Sequence, residues 1–325
     1  MPQFSMQIIK RKVHELERKL PIWSMVFDGH IGLDNTIVLA SMARSGSTFV
    51  SNIINCDNTY RVMFEPFRYD RVSEARNFVH PLYLRPENND PRFVLPAQKI
   101  LTGKVHSQWI DKENRAIFPQ RRLIKDIRIN LFLKWLHNHF PAVKIVLLVR
   151  HPCAVAESWL AVFGVRHSAF DRLNANPSLV EDIGSSIMEH YRQAKPGLES
   201  LVFLWCISYW IPFHQFGKDE LYLLFYEDLL LDPHIELERL FAFLGHPYSP
   251  QKAQRVFAQA SSTARFDQVT QTQGFKFDSW MSRVTPAQIE RAYEIMSLFG
   301  LEQLYSPVTG KPDKEIALSF LAANR

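Results

Sequence analysis

"TIVLASMARSGSTFVSNIIN", residues 36 to 55, runs from an apolar strand through a polar turn into the start of an apolar helix. The turn, Arg44-Ser45-Gly46-Ser47-Thr48, has the shape of a phosphate cradle. In the ATP-binding form, G-x-x-x-x-G-K-[ST], a lysine follows the last glycine. Here Ser47 takes that place, and the positive charge lies two residues before the glycine, at Arg44. Gly46 permits a tight turn whose backbone N–H groups aim at one point, and the helix start adds its positive dipole end. The Ser47 and Thr48 hydroxyls can donate to the same oxygens. A capped helix start without a ligand remains the alternative for this loop taken alone.

Working outward, strand-like apolar runs occur at 36–41, 61–65, 122–126, 144–149 and 221–226. Helical patterns fall at 47–55, 131–140, 153–162, 178–194, 200–215, 234–244, 250–260 and 286–298. Strands alternating with helices predict an α/β fold with a parallel sheet covered on both faces. Ligands of such sheets gather at the carboxyl ends of strands. The stretch "LRPENNDPRFVLP" within 67–118 is too proline-punctuated to be read as a regular helix or a central strand. That segment is expected to form an inserted lid or substrate loop, within a single domain spanning 1–325 whose lead-in is 1–35.

Composition narrows the function. The 325 residues are 46% hydrophobic, enough for a substantial core, and the net charge of +5 suits an anionic ligand. The basic residues are scattered and form no polybasic tail, which argues against nucleic acid. Cys56, Cys153 and Cys206 are odd in number and unclustered, against both a disulfide framework and a zinc site. His137 and His139 point in different directions if helical, so no metal is expected there. No apolar run reaches the ~18 residues of a membrane span, and no signal peptide opens the chain. "SLVFLWCISYWIPF" (200–213) reads as a buried helix. In the first twenty residues Ile9, Val13, Leu16 and Leu20 share one face amid Lys and Arg, for packing on the body or for peripheral membrane contact.

A second polar cluster follows another strand, in "KIVLLVRHPCAVAESWL" (144–160). Arg150 ends the strand, Pro152 suits a first helical turn, and Ser158 lies on the second turn. A guanidinium and a hydroxyl so placed can converge on one anion beside the sheet.

With both clusters the chain resembles the sulfotransferases that use 3′-phosphoadenosine 5′-phosphosulfate (PAPS), nearest in flavour to the carbohydrate sulfotransferases. "FEPF" (64–67), "LIKDIR" (123–128), "FYEDLLLDP" (225–233), "LERLFAFLG" (237–245) and "SWMSRVTPAQIERAYEIMSLFGL" (279–301) echo the family in order, over about 36 to 305. The resemblance implies a P-loop NTPase-like three-layer fold. It implies that Arg44, Ser45, Gly46, Ser47 and Thr48 bind the phosphosulfate and that Arg150 and Ser158 bind the 3′-phosphate, which ATP lacks. Glu65 matches the catalytic glutamate of the carbohydrate branch, and Lys125 the lysine that contacts the transferred group. Each has a plainer alternative: Glu65 as a carboxylate capping a turn, Lys125 as a partner of Asp126. Ile127 stands where the cytosolic branch has its catalytic histidine, so that route is closed, and His106 is kept as a reserve base. Arg128 is a candidate for substrate contact or for structural pairing. Glu227, Asp228 and Asp232 are expected to be architectural, with Asp232 capping the helix at Pro233. Arg265 or Lys276 is a candidate last contact to the 3′-phosphate.

The expected activity is sulfuryl transfer from PAPS, without metal, to a hydroxyl of a sugar, polysaccharide or glycolipid, in the cytoplasm or at a membrane surface. The alternatives are a Mg²⁺-dependent P-loop kinase and a non-catalytic PAPS-binding partner protein.

Overall fold

The computed structural model describes residues 26–165, 173, 175–263 and 277–322. Five strands, β1 (Thr36–Ser41), β2 (Tyr60–Phe64), β3 (Arg121–Asp126), β4 (Lys144–Val149) and β5 (Tyr222–Phe225), form one parallel sheet in the order β2-β3-β1-β4-β5. β1 lies centrally, with Ile37 opposite Leu123 on one side and Lys144 on the other.

The strands alternate between two apolar layers, as a period of two requires. Ile37, Leu39, Val146 and Leu148 enter one core, and Val38, Ala40, Ile145 and Leu147 the other. The first layer is closed by α1 (Ser47–Ile54), α9 (Pro233–Leu244) and α10 (Pro250–Thr263), with Leu229 of the short α8 (Tyr226–Leu231). The second is closed by α2 (Pro91–Leu101), α3 (Leu133–His139), α4 (Pro152–Phe163), α5 (Pro177–Ile183), α6 (Ser185–Gln193), α7 (Leu198–Gln215), α11 (Pro286–Ser297) and α12 (Lys314–Ala322). The sheet with helices on both faces is the three-layer arrangement expected. The apolar run at 200–213 lies within α7, whose Trp205, Cys206 and Tyr209 are buried. Among the described residues no helix is long and apolar enough to cross a membrane.

Two helical expectations need correction. The stretch 84–96, read as unable to form a regular helix, contributes the first turns of α2. Asp90 caps it by accepting from the Arg92 amide at 2.8 Å, and Pro91 occupies the first turn, where it has no bond to lose. Pro96 leaves the Arg92 carbonyl without its helical donor, and Asn77 Nδ2 supplies one at 3.1 Å. The predicted helix at 178–194 is two helices, α5 and α6, broken at Gly184, whose φ of 100° no right-handed helix accommodates. The first twenty residues lie outside the described residues.

Beneath the segment between β2 and β3 lies a buried ionic network. Arg61 reaches Asp28 at 3.0 Å and Asp111 at 2.8 Å, and donates to the carbonyls of Gly103 and Val105. Arg122 pairs with the same Asp28 carboxylate at 2.9 Å and donates to Thr36 and to the Leu101 carbonyl. Gly103 is needed at its turn, because a Cβ there would stand 2.2 Å from Asp28 Oδ2. The network moors residues 101–111 of this segment to the sheet. Asp28→Ala leaves the Arg122 guanidinium buried without a carboxylate, so it is expected to cost about 3–5 kcal/mol, measured by urea unfolding against the parent protein.

Candidate functional site

After β1 the chain turns through Arg44 and Gly46, both in the left-handed region with φ of 72° and 89°. At Gly46 a Cβ would also meet the Tyr226 ring at 2.5 Å. The turn delivers the amides of Gly46, Ser47 and Thr48 to one side, and among the described residues none of them has an acceptor. It is held from behind by α7. The Tyr209 hydroxyl accepts from the Met42 amide at 3.1 Å, donates to the Leu148 carbonyl at 2.8 Å and lies 3.4 Å from Ser45 Oγ. Burial pushes this phenol up to about 12, so it stays a donor.

The connection leaving β1 runs to β2 on one side, while that leaving β4 runs to β5 on the other. Between their carboxyl ends lies the topological switch point, where α/β sheets open a crevice. The two polar clusters of the sequence meet there. Arg150 Nη1 donates to the Arg44 carbonyl at 3.0 Å, and its guanidinium stands 4.7 Å over the Tyr226 ring. Ser158 Oγ accepts from Arg44 Nε at 3.0 Å, so the serine meets Arg44 rather than Arg150. Arg150 Nε is buried and unpartnered among the described residues. Burial, with the nearby charge of Arg150, pulls the Arg44 pKa below its ordinary value, and Glu157 opposes this. Two crowded guanidiniums, an unpartnered N–H and three free amides gather hydrogen-bond donors and positive charge at one place, chemistry that suits an anion.

Further along the same edge, β3 ends near Lys125 and β2 near Glu65. The Lys125 ammonium donates to Thr48 Oγ1 at 2.9 Å and lies 4.0 Å from the centre of the Phe64 ring. It therefore joins the β1 turn instead of pairing with Asp126. Burial pulls its pKa below the usual lysine value, the charges of Glu113 and Glu65 oppose this, and Lys112 adds to it. Glu65 extends the sheet pairing by donating its amide to the Lys125 carbonyl at 2.7 Å, then turns left-handed with φ 44°. Its Oε2 takes Arg128 Nη1 at 2.6 Å, so Arg128 is a structural partner of the glutamate. Oε1 has no partner among the described residues. Asp126, fully buried and pushed up to about 6 by burial, accepts from the amides of Phe67 and Arg128 and so fixes both loops that carry this pair.

The remaining sequence candidates lie elsewhere. His106 takes Arg61 Nη2 on Nδ1 at 3.1 Å. Arg61 is four residues before Glu65 on an extended strand, roughly 13 Å away at ~3.3 Å per residue. The reserve base is thus tied to the far end of β2. Among the described residues no cluster of three metal-ligating side chains occurs. Asp232 caps α9 through the Ile235 amide. Arg265 and Lys276 lie outside the described residues. The residues that sequence reading missed are Tyr209, Tyr226 and Trp205, whose indole donates to the Arg150 carbonyl at 2.9 Å. They read as ordinary core aromatics, and only the fold brings them to the turn.

Glu227 is a second fully buried acid behind the site. It accepts from the His151 amide at 2.8 Å and from the Tyr305 hydroxyl at 3.2 Å, holding the turn just after Arg150. Burial pushes its carboxyl up to about 7.

The model of the sulfotransferase family matches residues 36–250. Among solved structures, mouse sulfotransferase SULT7A1 complexed with PAP is 17% identical, with 85% of this chain and 87% of that chain covered at a TM-score of 0.41. The sulfotransferase domain of the Synechococcus PCC 7002 olefin synthase is 21% identical, with coverages of 80% and 94% and a TM-score of 0.42. A sulfotransferase from Alicyclobacillus acidocaldarius is 12% identical, with coverages of 90% and 96% and a TM-score of 0.42. Among curated proteins none matches at a significant level.

The Glu227 carboxyl yields a pH test. Its pKa is raised on folding, so the stability it contributes is complete below the ordinary value of 4.5 and is lost as pH rises through about 7. Glu227→Gln does not titrate. Urea unfolding from pH 4 to pH 8 should find the variant gaining on the parent by ~3 kcal/mol across that window. A pH-independent difference would show an ordinary carboxyl.

Proposed function

Because the chain belongs to the sulfotransferase family, we propose that it moves the sulfuryl group of PAPS onto an acceptor hydroxyl, on a sugar, polysaccharide or glycolipid. The observation that carries the donor half of this reading is the meeting of Arg44, Arg150 and Ser158 at the switch point beside the free amides of Gly46, Ser47 and Thr48. A donor with a 5′-phosphosulfate and a separate 3′-phosphate has anionic groups for both. The amides, with the Ser45, Ser47 and Thr48 hydroxyls at the turn, hold the phosphosulfate. Arg150 and Ser158 hold the 3′-phosphate, and the unpartnered Arg150 Nε is a donor left for it.

In the reaction a bond forms between the acceptor oxygen and sulfur while the bond from sulfur to the 5′-phosphate oxygen breaks. The bonding pair leaves with 3′-phosphoadenosine 5′-phosphate (PAP), and the hydroxyl proton goes to Glu65 Oε1. Arg128 on Oε2 fixes the direction of the carboxylate. Lys125, tied to Thr48 at the turn, stabilises charge developing on the leaving phosphate. The acceptor half rests on the match of "FEP" to the carbohydrate branch. The kinase alternative would place ATP–Mg²⁺ at the same turn, and the non-catalytic alternative would give no use to Glu65 and Lys125.

Two measurements test the assignment. In calorimetry PAP should bind with micromolar affinity, about −8 kcal/mol, ahead of AMP and ATP–Mg²⁺. Arg150→Ala should cut the preference for PAP over AMP at least tenfold, and an unchanged preference removes the 3′-phosphate role. Glu65→Gln should lower turnover by at least a hundredfold with PAP affinity within threefold of the parent. Loss of both together would make Glu65 a structural residue.

A further inference from the structure

Beside Glu65 an aromatic pair is crowded by cations. The Trp109 indole donates to the Glu65 carbonyl at 3.3 Å, and the Phe64 ring meets it edge-on at 5.1 Å. Over Trp109 stand the Arg68 guanidinium at 4.5 Å, that of Arg71 at 5.6 Å and the Lys112 ammonium at 4.1 Å. Lys112 also lies 3.3 Å from the centre of Phe64, the ring that Lys125 shares. These cations come from two separate segments, one following β2 and one preceding β3.

Their counter-charges are few. Asp70 takes Arg68 at 2.9 Å and is 3.9 Å from Arg71. Glu65 takes Arg128 and is 3.9 Å from Arg68. Lys112 has no carboxylate partner among the described residues. Arg68, Arg71, Lys112 and Arg128 thus have only Asp70 and Glu65 within ion-pair reach, and a ring face offers Arg68, Arg71 and Lys112 only ~0.5–1 kcal/mol each at an exposed position. An oxyanion entering here would relieve the repulsion. Lys112 is felt electrostatically at Lys125, less strongly than Glu113 and Glu65, so the cluster lies next to the transfer position.

We infer that the acceptor is acidic: it carries a carboxylate or a sulfate ester near the hydroxyl to be sulfated, and Lys112, Arg68 and Arg71 around Trp109 bind that group. This inference rests on the reading of Glu65 as the acceptor base. It distinguishes an acidic saccharide from a neutral sugar. Lys112 is the specificity determinant in this arrangement, because among the described residues it is the cation over Trp109 with no carboxylate in ion-pair reach, and it takes no part in the proton transfer.

The test uses the full chain saturated with PAP, so that the donor site is filled. Binding of polygalacturonate (carboxylates), dextran sulfate (sulfate esters) and unmodified dextran (neutral) is measured at physiological salt. At least one anionic polymer should bind ten times more tightly than dextran. Lys112→Glu should lose that binding at least tenfold, while PAP affinity and unfolding midpoint stay within error. Lys252→Glu, the same charge change on α10, should lose less than threefold. Equal losses in the two variants, or no preference for either anionic polymer, would overturn the inference and leave the donor assignment standing. Failure of the parent protein to bind PAP would overturn the donor assignment and this inference together.

Discussion

A turn that offers its amides to a ligand cannot also use them to hold itself in place. The β1 turn meets this constraint by being fastened from behind, through one phenol. Tyr209 takes the Met42 amide and gives its proton to the Leu148 carbonyl, so a single hydroxyl joins the end of β1 to the end of β4. Both strands that flank the switch point are set against the same point on α7. The tie is neutral and buried, its phenol far from ionising, and each of its bonds has a fixed direction. With the turn fastened from behind, the amides of Gly46, Ser47 and Thr48 are left free of structural duty.

The same logic recurs along the carboxyl edge. Asp126 accepts from two loop amides, Glu227 from the His151 amide, and Trp205 donates to the Arg150 carbonyl. In each case a buried polar group anchors backbone beside a residue of the carboxyl edge: Glu65 and Arg128 at Asp126, and Arg150 at Glu227 and Trp205. The buried acids carry raised pKa values as a result of burial. They accept from backbone amides, which they hold in place.

Much of this was legible in the sequence. β1 and β4 have the bounds their apolar runs indicated, because a strand buried on both faces is continuous in hydrophobicity and sharply ended by polar residues. The two anion clusters were visible because each is local: strand, turn and helix start within a few residues. The helix α2 was hidden because the donor that rescues the Arg92 carbonyl, Asn77, is fifteen residues away. The pairing of Glu65 with Arg128 spans 63 residues and that of Lys125 with Thr48 spans 77. No pattern of spacing encodes such contacts; they follow from the order of the strands, which brings β2, β3 and β1 side by side. The same holds for the cations around Trp109, scattered in sequence and gathered by the chain returning to the edge of β2.

Arg44 and Glu65 share a property that neither one's chemistry requires: each is a non-glycine residue held at positive φ. Such positions cost about 1–3 kcal/mol each, and glycine would relieve most of it. Under the proposed roles of Arg44 and Glu65, selection for a more robust fold and selection for the activity pull in opposite directions at these two positions. A lineage that lost its need for the reaction would drift first toward glycine or asparagine here, gaining stability with each step. A long cation and an acid are thus held at two left-handed positions on the carboxyl edge of one sheet, where the backbone alone would favour glycine.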